Sequence, residues 1–180
     1  MKTLLLMRHA KSSWKDDKLE DQERPLKKRG KKDAKCIATV LQENKLIPDL
    51  IISSPAFRAR ETAEIVAKKV SYAGQIAFMD DLYMGEPQDF INALKILNNT
   101  FTTVMIVAHN PGLEAYLQIL DGEIESVPTG ALGHLTLALD DWKDISFDTT
   151  GNLVNLWKPK KLREKEESRD SSSVSNLDRS

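Results

Sequence analysis

Short, continuously apolar runs alternate along this chain with longer stretches whose apolar residues recur at helical spacing. The first run, Leu4-Leu5-Leu6-Met7, reads as a buried strand, as do Leu50-Ile51-Ile52 and Thr103-Val104-Met105-Ile106-Val107. The last is the clearest, with the unbroken apolar pattern of a central strand covered on both faces. Residues 75–79 give a weaker strand. Between these runs, Ala34, Ile37, Ala38 and Leu41 fall at i, i+3, i+4 and i+7 and predict a helix reaching about Glu43. Ala59, Ala63, Val66, Ala67 and Val70 predict a second helix, Phe90, Ile91, Leu94 and Leu97 a third, and Leu113, Tyr116, Leu117 and Leu120 a fourth.

The punctuation agrees with these elements. Ser53-Ser54-Pro55 and Asn110-Pro111 each place a capping residue before a proline suited to the first helical position. Residues 132–139 alternate, with Leu135, Leu137 and Leu139 on one face, and pair with residues 153–157 as an antiparallel hairpin at the sheet margin. Strands alternating with amphipathic helices predict a three-layer α/β/α sandwich with a mostly parallel sheet. Residues 14–24 are largely charged and lack periodicity, which predicts a loop lying across the mouth of whatever site the strand ends form.

Composition narrows the class. A chain of 180 residues with 41% apolar content supports one domain with a real core, placed at residues 1–158. From residue 159 onward both charge signs mix with serines, and Leu162, Val174 and Leu177 are the large apolar groups. Such a segment buries too little surface to offset the entropy of ordering, so residues 159–180 are expected to be a disordered tail. The formal net charge of −1 argues against a nucleic-acid partner or an acidic membrane surface. The single cysteine, Cys36, excludes an internal disulfide and is read as a small half-buried side chain in the first helix. The apolar run at the N-terminus is too short for a signal peptide and no later run spans a bilayer, so the expected location is the cytoplasm.

Chemistry concentrates at the strand ends. The first strand runs into Arg8-His9, the second leads through Ser53-Ser54 to Arg58, and the fourth ends at His109. Ligands in open α/β sheets bind outside the carboxyl ends of the strands. Two arginines and two histidines converging there suit phosphoryl transfer, with a histidine as nucleophile and the arginines on phosphate oxygens. Each residue alone has a plainer reading, as a surface charge or a satisfied core histidine; their shared position after apolar strands is what joins them. His134, in the hairpin, is read as structural, and Arg60 as pointing away from Arg58. A zinc site would need three or four His, Cys, Asp or Glu ligands, and arginines beside both histidines would repel a cation, so no metal or other cofactor is expected.

Arg8-His9-Ala10-Lys11-Ser12, Ser54-x-x-x-Arg58-Ala59-x-x-Thr62 and His109-Asn110-Pro111-Gly112 together resemble the histidine phosphatase superfamily, and within it the small SixA-type phosphohistidine phosphatases. Arg24-Pro25-Leu26-x-x-Arg29-Gly30 and Pro128-Thr129-Gly130-Ala131 are similar to that group as well. The resemblance implies a phosphoglycerate-mutase-like fold, His9 as a nucleophile that becomes phosphohistidine, and Arg8, Arg58 and His109 on the phosphoryl oxygens. Ser12 and Asn110 are further substrate-binding candidates. His9 must then be neutral at the attacking nitrogen, and a charged His109 would aid the transition state.

Two features depart from the superfamily's commonest pattern. Ala10 stands where glycine usually follows the histidine, and no motif supplies the carboxylic acid that protonates an alkoxide leaving group. Asp80, Asp81 and Glu86 lie in roughly the right loop without matching context. Imidazole is a far better leaving group, since its conjugate acid titrates at about 6.5. The expected partner is therefore a phosphorylated protein carrying phosphohistidine. The alternatives are a small phosphorylated substrate, or a phosphate-recognising module without turnover.

Overall fold

The computed structural model describes residues 1–177. Six strands form one sheet in the order β3-β2-β4-β1-β5-β6. They are β1 (Lys2–Arg8), β2 (Leu50–Ser53), β3 (Ala77–Phe78), β4 (Thr103–Ala108), β5 (Leu132–Leu137) and β6 (Gly151–Trp157). β1, β2, β3 and β4 run parallel, whereas β5 pairs antiparallel with both β1 and β6. The expected sandwich with an antiparallel edge hairpin is thus the observed architecture.

Alternation along the strands explains why β1 and β4 carry no polar positions in their interiors. Leu4, Leu6, Val104 and Ile106 face α3 (Pro87–Lys95) and α4 (Gly112–Asp121), joining Phe90, Leu94, Tyr116 and Leu117 in one core. Leu5, Met7, Met105 and Val107 face the opposite layer, α1 (Lys28–Glu43) and α2 (Phe57–Lys69), where they meet Ile37, Leu41, Ala63 and Val66. Both faces are covered, so every strand position must be apolar.

The last segment departs from expectation. Residues 159–177 form a helix, α5 (Pro159–Leu177), in place of a disordered tail; residues 178–180 of that predicted tail lie outside the described residues. Lysine, arginine and glutamate are strong helix formers, and the first turns have an anchor. Pro159 is buried, Leu162 packs on the core beneath α1, and Arg163 pairs with Asp33, a carboxylate only 3% exposed. Beyond that anchor the described side chains of α5 face solvent.

Helix starts also differ from expectation. α2 begins at Phe57 and α4 at Gly112, each later than the prolines had suggested. Ser54 and Asn110 are therefore not caps, and their side chains turn toward the sheet's carboxyl edge instead.

Candidate active site

Two ends of parallel strands open onto one cavity of about 510 Å³. Arg8 and His9 arrive from the end of β1, Arg58 from the first turn of α2 after β2, and His109 and Asn110 from the end of β4. Lys11, Ser12 and Thr129 complete the floor and rim. The four principal residues predicted from sequence, together with Ser12 and Asn110, therefore line a common wall. Arg58 and His109 are almost wholly buried, at 3% and 2% exposure, and His9 is at 7%. His134 lies outside, stacked on Trp157, and the Arg60 guanidinium sits over the Phe78 ring.

The turn after β1 is held by backbone and by small residues. His9 N donates to the Ala108 carbonyl, Ala10 N donates to Thr62 Oγ1 at 3.0 Å, and that hydroxyl donates to the Arg58 carbonyl at 2.7 Å. Thr62 thereby couples the nucleophile's turn to the helix that carries Arg58. Gly30 passes so close that a Cβ would stand 2.2 Å from the Lys11 carbonyl oxygen.

Hydrogen bonding fixes both imidazoles. His9 Nδ1 lies 2.8 Å from the Ala10 carbonyl. A carbonyl only accepts, so Nδ1 carries the proton and Nε2 keeps its lone pair. Burial, reinforced by Arg58, Arg8 and Arg24, lowers the His9 pKa to about 4. His109 Nε2 lies 2.7 Å from Ser54 Oγ. Burial first, then His9 and the arginines, lowers the His109 pKa to about 3. The expected charged His109 is thus corrected: two buried imidazoles with centroids 5.1 Å apart among arginines stay neutral. The Ser54 hydroxyl can donate to Nε2, and in that arrangement the His109 proton resides on Nδ1.

Three nitrogens around His9 stand out: Arg8 Nε, Arg58 Nε and His109 Nδ1 are buried and find no hydrogen-bond partner among the described residues. Burying a polar N–H without an acceptor costs about 1–3 kcal/mol. A cluster of such donors on charged or dipolar groups is arranged for an oxyanion. Among the described residues no three His, Cys, Asp or Glu side chains gather as a metal-ligand set.

The three acids suggested by sequence do not reach the cavity. Asp80 and Asp81 are exposed in a 3-10 turn and border a separate hollow with Asn92 and Ile96. Glu86 is exposed at the start of α3, where its N–H is taken by Asp89 Oδ2 at 2.8 Å. Residues unassigned from sequence line the cavity in their place: Tyr83 and Met84, and, on the excursion predicted to lie across the mouth, Trp14, Asp21 and Arg24. Its neck is zipped by Ser13 N to the Pro25 carbonyl and Lys27 N to the Lys11 carbonyl, both 2.8 Å. Arg24 donates to Ser12 Oγ at 2.8 Å and packs its guanidinium 3.5 Å from the centre of the Trp14 ring.

Residues 4–83 match the model of the histidine phosphatase superfamily, branch 1. The chain belongs to that superfamily. It is 31% identical over 150 residues to an uncharacterized chloroplastic protein of Arabidopsis thaliana, covering 78% of this chain and 69% of the relative. Its fold is similar to that of a protein assigned as the phosphohistidine phosphatase SixA of Agrobacterium tumefaciens, with a TM-score of 0.75 and 26% identity across 88% of this chain and 98% of that one. A protein histidine phosphatase SixA complexed with tungstate shares the fold at a TM-score of 0.77 and 22% identity, covering 89% of this chain and 99% of that one. As a superfamily member, the chain has its phosphoglycerate-mutase-like architecture. No helix among its described residues is long and apolar enough to cross a membrane.

Proposed function

We propose that this protein is a phosphatase that carries the phosphoryl group on His9 and acts on phosphohistidine in a protein. The observation that carries the reading is the placement of a neutral His9, with its lone pair on Nε2, among three unpartnered buried donors. His9 Nε2 attacks phosphorus in line, and the bond from phosphorus to the leaving nitrogen breaks. The substrate ring carries a proton on its other nitrogen, so the electron pair departs with a neutral imidazole. Arg8, Arg58 and His109 Nδ1–H hold the equatorial oxygens as charge spreads over them. Water then attacks the phosphorylated His9 and releases inorganic phosphate, restoring the free imidazole. The scheme routes no step through a metal or other cofactor.

The leaving group follows from the cavity's acid–base content. Asp21 is the carboxylate among the described lining residues, and it is held ionised, so it has no proton to give. An alkoxide leaves poorly under those conditions, whereas a phosphohistidine ring brings its own proton on the nitrogen away from phosphorus and leaves as neutral imidazole. The SixA likeness supports the same substrate class, and a cytoplasmic setting with its reducing conditions suits the single free cysteine.

The test is hydrolysis of p-nitrophenyl phosphate in EDTA by the native protein and by His9→Ala, followed by a panel of phosphohistidine proteins beside phosphosugars. The expected result is EDTA-resistant turnover, abolished in His9→Ala, with phosphohistidine preferred. Turnover surviving in His9→Ala, or a preference for phosphosugars, overturns the proposal.

A further inference from the structure

Asp21 is the lining carboxylate, and the phosphoryl-transfer scheme leaves it without a task. Its backbone carbonyl accepts from Arg58 Nη1 at 2.8 Å, and its Oδ2 accepts from Arg58 Nη2 at 3.0 Å. The carboxylate is held in turn by two other side chains. Arg24 Nε donates to Oδ1 at 3.1 Å, and the Tyr83 hydroxyl donates to Oδ2 at 2.5 Å. We propose that Asp21 is a positioning residue that fixes the Arg58 guanidinium so that its remaining N–H bonds face the phosphoryl oxygens. The proposal rests on the phosphatase reading above and names how that site is set.

The geometry of the guanidinium makes the argument. Arginine offers five N–H bonds in a rigid planar fork, so gripping it at both terminal nitrogens fixes the plane of the whole group. The unpartnered Nε stays free for a ligand, and each terminal nitrogen keeps a second N–H beyond its bond to Asp21. An exposed ion pair contributes little, but here the Arg58 side chain is only 4% exposed, and Asp21, at 43%, reaches it from the rim. Burial opposes the Asp21 charge, yet the hydrogen bond from Tyr83 and the two arginines hold its pKa at about 2. The carboxylate is therefore ionised throughout the working range, as an orienting partner must be and a proton donor cannot be.

Asp21→Ala and Asp21→Asn test this with three measurements: steady-state kinetics on p-nitrophenyl phosphate and on phenyl phosphate, calorimetric binding of inorganic phosphate, and thermal melting. Misplacement of a binding group by about 1 Å can cost 10²-fold. The expected result is a 10- to 100-fold fall in kcat for Asp21→Ala, by the same factor on both esters, and weaker phosphate binding. Asp21→Asn, which keeps an acceptor oxygen, recovers part of the loss. A loss concentrated on phenyl phosphate, the poorer leaving group, overturns positioning in favour of proton donation. Unchanged or tighter phosphate binding in Asp21→Ala also overturns it. Phosphate binding does not depend on turnover, so the measurement reads Arg58 even if the phosphatase reading fails. Should Asp21→Ala not fold, Tyr83→Phe, which removes the hydroxyl donating to Asp21 Oδ2, is expected to weaken phosphate binding several-fold, and no change there counts against the proposal.

Discussion

Acidification should loosen this fold through its active-site imidazoles before any carboxylate is affected. His9 and His109 titrate at about 4 and about 3 in the folded chain, against an ordinary value of 6.5. In the unfolded chain both bind a proton below pH ~6.5, so the unfolded state holds more protons and stability falls as pH falls through that window. At pH 5 each unfolded imidazole gains about 1.5 pKa units of protonation free energy that the folded one lacks, or about 2 kcal/mol. The pair therefore contributes a loss of about 4 kcal/mol between pH 7.5 and pH 5, a large share of the 5–15 kcal/mol typical of a domain. The partly buried His134, also lowered by burial, adds to the total. The clean measurement is thus a difference: urea midpoints at the two pH values for the native protein and for His109→Gln, with unchanged m-values. His109→Gln should lose about 2 kcal/mol less on acidification. Equal losses in the two proteins would refute the claim that His109 is buried neutral.

Three further outcomes are expected. Gly30→Ala puts a methyl against the Lys11 carbonyl, a backbone atom that cannot yield, and should cost about 1–3 kcal/mol by thermal or urea unfolding, with a several-fold fall in kcat as the His9 turn shifts. Ser54→Ala removes the hydroxyl that fixes the His109 tautomer and should lower kcat about 10-fold or more while melting changes little. Truncation after residue 169 should leave the melting temperature near that of the full chain. Truncation after residue 158 should lower it measurably, because Arg163 no longer answers the buried Asp33 and about 2 kcal/mol is lost.

Legibility in the sequence followed the strength of each local signal. β1 and β4 announce themselves because a strand covered on both faces must be apolar throughout, and the residues that follow such strands are where a site must form. That reasoning placed Arg8, His9, Arg58 and His109 on one wall. Asp21 was invisible by the same logic. It stands in a run with Asp16, Asp17, Glu20 and Glu23, and nothing local separates the carboxylate that meets Arg58 from its solvated neighbours. Its spacing of three residues from Arg24, which shares a 3-10 turn's reach, was the available clue. The tail was misread because mean apolar content ignores anchoring: α5 needs only Pro159, Leu162 and Arg163 to dock, after which its lysines and glutamates sustain helix in water. The neutral state of His109 was equally out of reach, since it depends on burial and on the nearness of His9 rather than on any motif.

The excursion between Ser12 and Leu26 is joined to the rest of the molecule by a single bridge at its neck and a few polar contacts at its tip. The oxyanion cradle, by contrast, is rooted in the sheet. Within the excursion two duties therefore part: Asp21 is tied to Arg58 of that cradle, whereas Trp14, 71% exposed at the rim, is free to be exchanged as the cargo changes while the reactive centre beneath stays as it was.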